Sequence, residues 1–227
     1  MAKYKNKYRV ESNRHRYWDY SWPGYYYITI CVINRECTLG KIIDGKMYLS
    51  ESGQIVQDEI LNIPQYNERL QLGEWVVMPN HIHMIIEIMD GNADGDGGGD
   101  GDGDNVEKIH EFSLPKPPPQ PPTRHPQQPQ SQSIPWWYNP DYKPTIDEIK
   151  QYRKQRRKMI IPKTIGKMKM LTSKNINILR HTEGRKNWQH DYYDHIIRNQ
   201  QSLDRISNYI KNNPRNWNED KFYKDEN

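Results

Sequence analysis

The feature that most constrains this chain is a tract in its middle that cannot contribute to a core. Residues 90–104 read DGNADGDGGGDGDGD, with six Asp and neither Lys nor Arg. Seven of the 14 glycines lie between Gly91 and Gly103, and 11 of the 16 prolines lie between Pro115 and Pro144. The first part reads as a flexible, self-repelling coil and the second as an extended, polyproline-like spacer. Neither buries enough apolar surface to offset the entropy of ordering it. The Asp/Gly run lacks the apolar repeat of a calcium-binding β-helix and the terminal Glu of an EF-hand loop, which argues against a calcium site. The expected organisation is therefore an N-terminal block (1–89), a low-complexity insertion (90–143) and a C-terminal block (144–227).

The acidic insertion masks the charge of the rest. The whole chain carries 33 Lys+Arg and 29 Asp+Glu, a net +4. Leaving out the six Asp of residues 90–104 gives 33 − 23 = +10. A basic chain with 16 Tyr and seven Trp suits a polyanion whose bases stack on aromatic rings. No run approaches the roughly 18 apolar residues that cross a bilayer, and the basic N-terminus has no apolar stretch behind it. The only cysteines, Cys31 and Cys37, make no disulfide framework and no CxxC zinc site. A cytoplasmic location is expected, nucleoid-associated when bound to DNA.

The N-terminal block reads mainly as strands. YYYITICVIN (25–34) is a β-branched and aromatic run, with Cys31 as a small core residue. Residues 37–50 read as a hairpin turning at Asp44-Gly45. A helix opens at Ser52-Gly53 and is stopped by Pro64. LGEWVVMP (72–79) and HIHMIIEIM (81–89) are further strands. In the C-terminal block, residues 146–161 and 164–179 have helical character with Pro162 between them. DYYDHIIR (191–198) reads as a strand, and residues 199–213 as a helix with apolar positions at 203, 206 and 210, ended by Pro214. Strands followed by helices indicate an α+β fold with an antiparallel sheet.

Two constellations carry chemistry. His81 and His83 flank Ile82 in an apolar strand; at i and i+2 both imidazoles project from one face, where they can share a divalent metal. In the predicted last helix, Tyr209 and Asn213 are four residues apart, on one face a turn away from each other.

VVMPNHIHMII (76–86), then WQHDYYDHIIR (188–198), then YIKNNPRNW (209–217), together with the opening 17–60, resemble the single-tyrosine HUH transposases: the REP-associated tyrosine transposases and related insertion-sequence transposases. The resemblance covers about 1–89 and 160–218. It implies that His81 and His83 ligate Mg²⁺ or Mn²⁺, that Tyr209 is the nucleophile, and that Asn213 is the third ligand. It also implies a ferredoxin-like sandwich with a central antiparallel sheet and helices on one face, a homodimer, and nicking and rejoining of single-stranded DNA at hairpin-forming ends through a 5′-phosphotyrosine. The insertion departs from the family in length and composition.

Other residues have lesser claims. Tyr192 and Tyr193 rival Tyr209 as nucleophile. His195 and Arg198 are candidate phosphate contacts, as are Arg153, Lys154, Arg156 and Arg157 in KQYRKQRRK (150–158), which has six positive charges and no acid. Arg9, Arg14, His15 and Arg16 form a basic N-terminal arm. Trp136-Trp137-Tyr138 either docks on the core or stacks on a base. The competing functions are an HUH replication initiator or relaxase, a domesticated repeat-binding protein without cleavage, and a zinc hydrolase lacking a third ligand motif.

Overall fold

The computed structural model describes residues 3–4, 8–9, 18–90 and 145–223. Arg14, His15, Arg16, Trp136-Trp137-Tyr138 and the insertion beyond residue 90 lie outside the described residues. Lys3–Tyr4 (β1) and Tyr8–Arg9 (β2) form a short antiparallel ladder.

Four strands make the central sheet: Gly24–Cys31 (β3), Leu70–Met78 (β6), His81–Ile88 (β7) and Tyr193–Ile197 (β8). Their order is β6-β7-β3-β8 and every pair is antiparallel. Between β3 and β6 come the hairpin Gly40–Ile43 (β4) and Lys46–Leu49 (β5), then Glu51–Leu61 (α1). The C-terminal block adds Ile146–Arg156 (α2), Ile160–Arg180 (α3) and, after β8, Gln200–Asn212 (α4). The core path β3-α1-β6-β7-α3-β8, with strands from both blocks in one sheet, is the ferredoxin-like arrangement.

Local chemistry accounts for the boundaries. Asp44 (φ 50°) and Gly45 (φ +70°) turn the β4–β5 hairpin in the left-handed region that such turns require. Ser50 rather than Ser52 caps α1, its Oγ accepting from the Gly53 amide at 3.1 Å. Gly53 then lies inside the helix, where a Cβ would stand 2.0 Å from the Leu39 carbonyl oxygen. The break between the C-terminal helices falls at residues 157–159, not at Pro162. Met159 is the N-cap of α3, which makes Pro162 its third residue. An amide there has no acceptor within the helix, so proline starts the helix instead of breaking it.

The two sheet faces bury different helices. Tyr26, Ile28 and Ile30 of β3 and Ile82, Met84, Ile86 and Ile88 of β7 pack in one cluster with Val56 and Ile60 of α1 and Ile161, Ile165 and Met168 of α3. On the opposite face Ile85 and Ile197 meet Ile206 and Ile210 of α4, with Leu203 and Tyr27 alongside. Helices on one face describes α1 and α3, but α4 covers the other. The reason lies in its own pattern: an apolar edge at 203, 206 and 210 needs an apolar seat, which Ile85 and Ile197 provide. Among the described residues no helix is long and apolar enough to cross a membrane.

Candidate metal and tyrosine site

The site lies on the α4 side of the sheet and begins with register. Across β7, Thr29 and Val76 stand opposite His83, and Cys31 and Met78 opposite His81. Opposed residues of an antiparallel pair share a face, so the two histidines, Thr29 and Tyr27 point together toward α4. Both histidines are 0 % exposed. Their Nε2 atoms are 3.0 Å apart.

The outer ring nitrogens are held. His81 Nδ1 is 2.8 Å from Asn80 Oδ1. The Asn80 amide nitrogen donates to the carbonyls of Phe222 (2.8 Å) and Arg35 (3.3 Å), which fixes Oδ1 as the end facing His81. His81 therefore donates from Nδ1 and keeps a bare lone pair at Nε2. His83 Nδ1 meets two hydroxyls, Tyr27 at 2.8 Å and Thr29 at 2.9 Å. Burial lowers both imidazole pKa values; the positive Lys221 lowers them further, and Arg35 adds to the effect at His81. The pair is neutral near pH 7, the protonation state of a metal ligand.

The last helix brings the second constellation to the first. The phenol of Tyr209, 42 % exposed, places its oxygen 3.4 Å from His83 Nε2 and donates to Asp220 Oδ2 at 3.3 Å. Burial and the Asp220 charge push its pKa up to about 12. Asn213, at the C-cap of α4 and 2 % exposed, donates from Nδ2 to the same Asp220 oxygen at 3.1 Å. Its Oδ1 is buried without a hydrogen-bond partner. Beyond α4 the chain folds back over the histidines: Phe222 packs on His81 with ring centroids 4.7 Å apart, and Trp217 lies 6.0 Å from it.

His81, His83 and Asp220 form a group able to hold a metal ion, with one donor atom from each lying within 4.8 Å of the others. The residues fit a divalent cation. Two imidazoles and a carboxylate converging from two segments are a donor set that a divalent cation accepts. The orphaned Asn213 oxygen is an acceptor awaiting a partner.

Asp220 went unnoticed in the sequence because it sits past the proline and tryptophan that close the Tyr209 motif, in a short irregular segment with no periodicity. Asn80 was visible only as part of a Pro-Asn turn.

The remaining candidates are scattered. His195 is on the same face as His83, two strands away, because Tyr27 is paired with His195 on one side and Ile85 on the other. His195 and Arg198 line one cleft of about 420 Å³ with Tyr20, Asn199 and Ser202. Burial, then Arg198 and Arg205, lower the His195 pKa. Arg153, Lys154 and Arg157 are exposed on or beside α2. Arg156 is not: it is 7 % exposed, with its guanidinium over the rings of Tyr20 (5.2 Å) and Tyr152 (5.4 Å). Tyr192 is buried, and Tyr193 meets the site at its edge, through Tyr27 at 6.3 Å and Lys221 at 5.9 Å. Cys31 is half-buried beside His81 instead of lying in the main core, and burial pushes its thiol pKa up.

No family model matches the chain. An uncharacterized protein of Haemophilus influenzae is 30 % identical over 214 residues, which span 94 % of this chain and 93 % of that one. Among solved structures, a REP-associated tyrosine transposase bound to a REP hairpin aligns with 91 % of this chain and 73 % of its own, at 16 % identity and a TM-score of 0.40. A Deinococcus radiodurans protein, provisionally described as a transposase, aligns with 84 % of this chain and 91 % of its own, at 13 % identity and a TM-score of 0.34. The identity to the Haemophilus influenzae protein, sustained across nearly the whole of both chains, places this chain in the same family as that protein.

Proposed function

We propose that this chain is a metal-dependent single-tyrosine transposase that nicks and rejoins single-stranded DNA at hairpin-forming, REP-like sequences. The observation that carries the reading is the approach of Tyr209 Oη to within 3.4 Å of a buried, neutral histidine pair on the same chain. The three ordered motifs of the HUH transposases supply those same residues.

In this reading His81, His83 and Asn213 hold Mg²⁺ or Mn²⁺. Held there, such an ion would supply Lewis-acid polarisation of the scissile phosphate. The protein's own groups do the rest. Tyr209 attacks phosphorus, the bond to the 3′ oxygen breaks, and the 5′ phosphate becomes joined to the phenol. The free 3′-OH departs, and reversal of the step rejoins a strand without ATP because the phosphotyrosine conserves the bond. A phenol with its pKa raised to about 12 must lose its proton to react, and its hydroxyl is already directed at Asp220. Arg153, Lys154 and Arg157 on the α2 side, with His195 and Arg198 in their cleft, bind phosphates along the DNA. Arg14 and Arg16 contribute from the N-terminal arm. One chain contains every residue of this chemistry, so a homodimer would pair two complete sites.

The test is a covalent-adduct assay. Labelled single-stranded hairpin oligonucleotides are incubated with the protein and Mg²⁺ or Mn²⁺, with and without chelator, and run on a denaturing gel. The expected result is label migrating with protein, abolished by chelator, by Tyr209→Phe and by His81→Ala. Binding across a broad hairpin library with no adduct would make the chain a repeat-binding protein instead.

A further inference from the structure

We infer that Asp220 is an additional ligand of the cation held by His81 and His83, so that metal binding clamps residues 213–223 onto the sheet. The inference rests on the proposed metal site and concerns a residue that the HUH motifs do not include.

Three observations carry it. First, Asp220 comes from a segment remote in sequence, yet one of its oxygens lies within 4.8 Å of a ring nitrogen of each histidine. Second, its acceptor capacity is not exhausted. A carboxylate accepts at about four positions. Three are used: Oδ1 by the Phe222 amide at 2.7 Å, and Oδ2 by Asn213 Nδ2 at 3.1 Å and Tyr209 at 3.3 Å. Third, Asp220 would supply a negative charge that the other proposed ligands lack. Two neutral imidazoles and an amide bring no negative charge, while Arg35 and Lys221 stand over the Phe222 ring that packs on His81. Asp220 is the carboxylate within reach of both histidines. Without it a divalent cation would be placed among like charges.

The consequence is mechanical. The segment is otherwise seated by Phe222 on His81, by the Asn80 bond to the Phe222 carbonyl, and by Arg35 over the Phe222 ring at 4.9 Å. A ligand in that segment makes its docking depend on the metal and the metal's retention depend on its docking.

The experiment is Mn²⁺ titration calorimetry on the full chain, paired with hydrogen exchange of residues 217–223. Wild type is expected to bind Mn²⁺ and to show slower exchange in that segment when loaded. Asp220→Asn is expected to bind at least about tenfold more weakly and to lose the metal-dependent protection. Asp220→Asn binding within twofold of wild type overturns the inference. So does a wild-type segment whose exchange is indifferent to Mn²⁺, a result that needs no variant to fold. Either outcome, with Mn²⁺ still bound at the histidines, leaves the proposed function standing. Failure of wild type to bind Mn²⁺ at all overturns both.

Discussion

The two faces of β3 and β7 share one backbone, yet they do different work. On one face Ile82, Met84 and Ile86 are 0 % exposed against α1 and α3. On the other, His81 and His83 are equally buried beneath α4 and the segment after it. Apolar burial stabilises in proportion to area, about 25 cal/mol per Å². Burying imidazoles gives less and demands partners for each nitrogen. Asn80, Tyr27 and Thr29 satisfy the outer nitrogens, while the inner ones lie 3.0 Å apart, with the Tyr209 hydroxyl 3.4 Å from that of His83. The apolar face holds the fold, and the other face presents the candidate metal group of His81, His83 and Asp220.

That contrast can be broken from either side. The largest effect on stability is expected from Met84→Ala, about 2–5 kcal/mol by denaturant unfolding, with Mn²⁺ affinity of the folded fraction little changed. Asn80→Ala should reverse the pattern. It frees the His81 tautomer and lowers Mn²⁺ affinity about 10–100-fold by calorimetry.

Acidification separates the faces by charge. The unfolded chain protonates its histidines near pH 6.5, whereas burial holds His81 near 4 and His83 well below its usual value. The unfolded state then binds more protons, so stability falls as pH drops below about 6.5 and the loss levels off only below the folded pKa values. For His81 alone the loss by pH 5 is roughly 2 kcal/mol. Thermal melts from pH 7 to pH 5 should show this slope, and a His81→Asn, His83→Asn double variant should flatten it.

The smallest effect is expected from Thr29→Val. His83 Nδ1 retains the Tyr27 hydroxyl at 2.8 Å, so Mn²⁺ affinity should fall well short of the tenfold loss expected for Asn80→Ala. An equal loss would mean that Thr29, not Tyr27, sets the tautomer.

What the sequence revealed followed period and punctuation. The alternation in HIHMIIEI placed both histidines on one face opposite Ile82, and the i, i+4 spacing put Tyr209 and Asn213 on one side of α4. The Asp44-Gly45 turn was also readable locally. Tertiary facts were not. Nothing local distinguishes Arg156, turned inward onto Tyr20, from Arg153 and Arg157 in the same basic run. Pro162 is a helix breaker by identity and a helix starter by position, and its position depends on where Met159 caps α3. Asp220 joins the site through the fold-back after α4, a contact between segments that no spacing within either one announces.

The most direct measurement locates the covalent bond itself. After reaction with a hairpin oligonucleotide and nuclease trimming, trypsin separates Ile206–Lys211, which contains Tyr209, from Asn187–Arg198, which contains Tyr192 and Tyr193. The expected result by mass spectrometry is nucleotide mass on the Ile206–Lys211 peptide alone, at Tyr209. Nucleotide on Asn187–Arg198, or on neither peptide while the DNA is cleaved, would contradict the assignment of Tyr209 as the nucleophile beside the histidine pair.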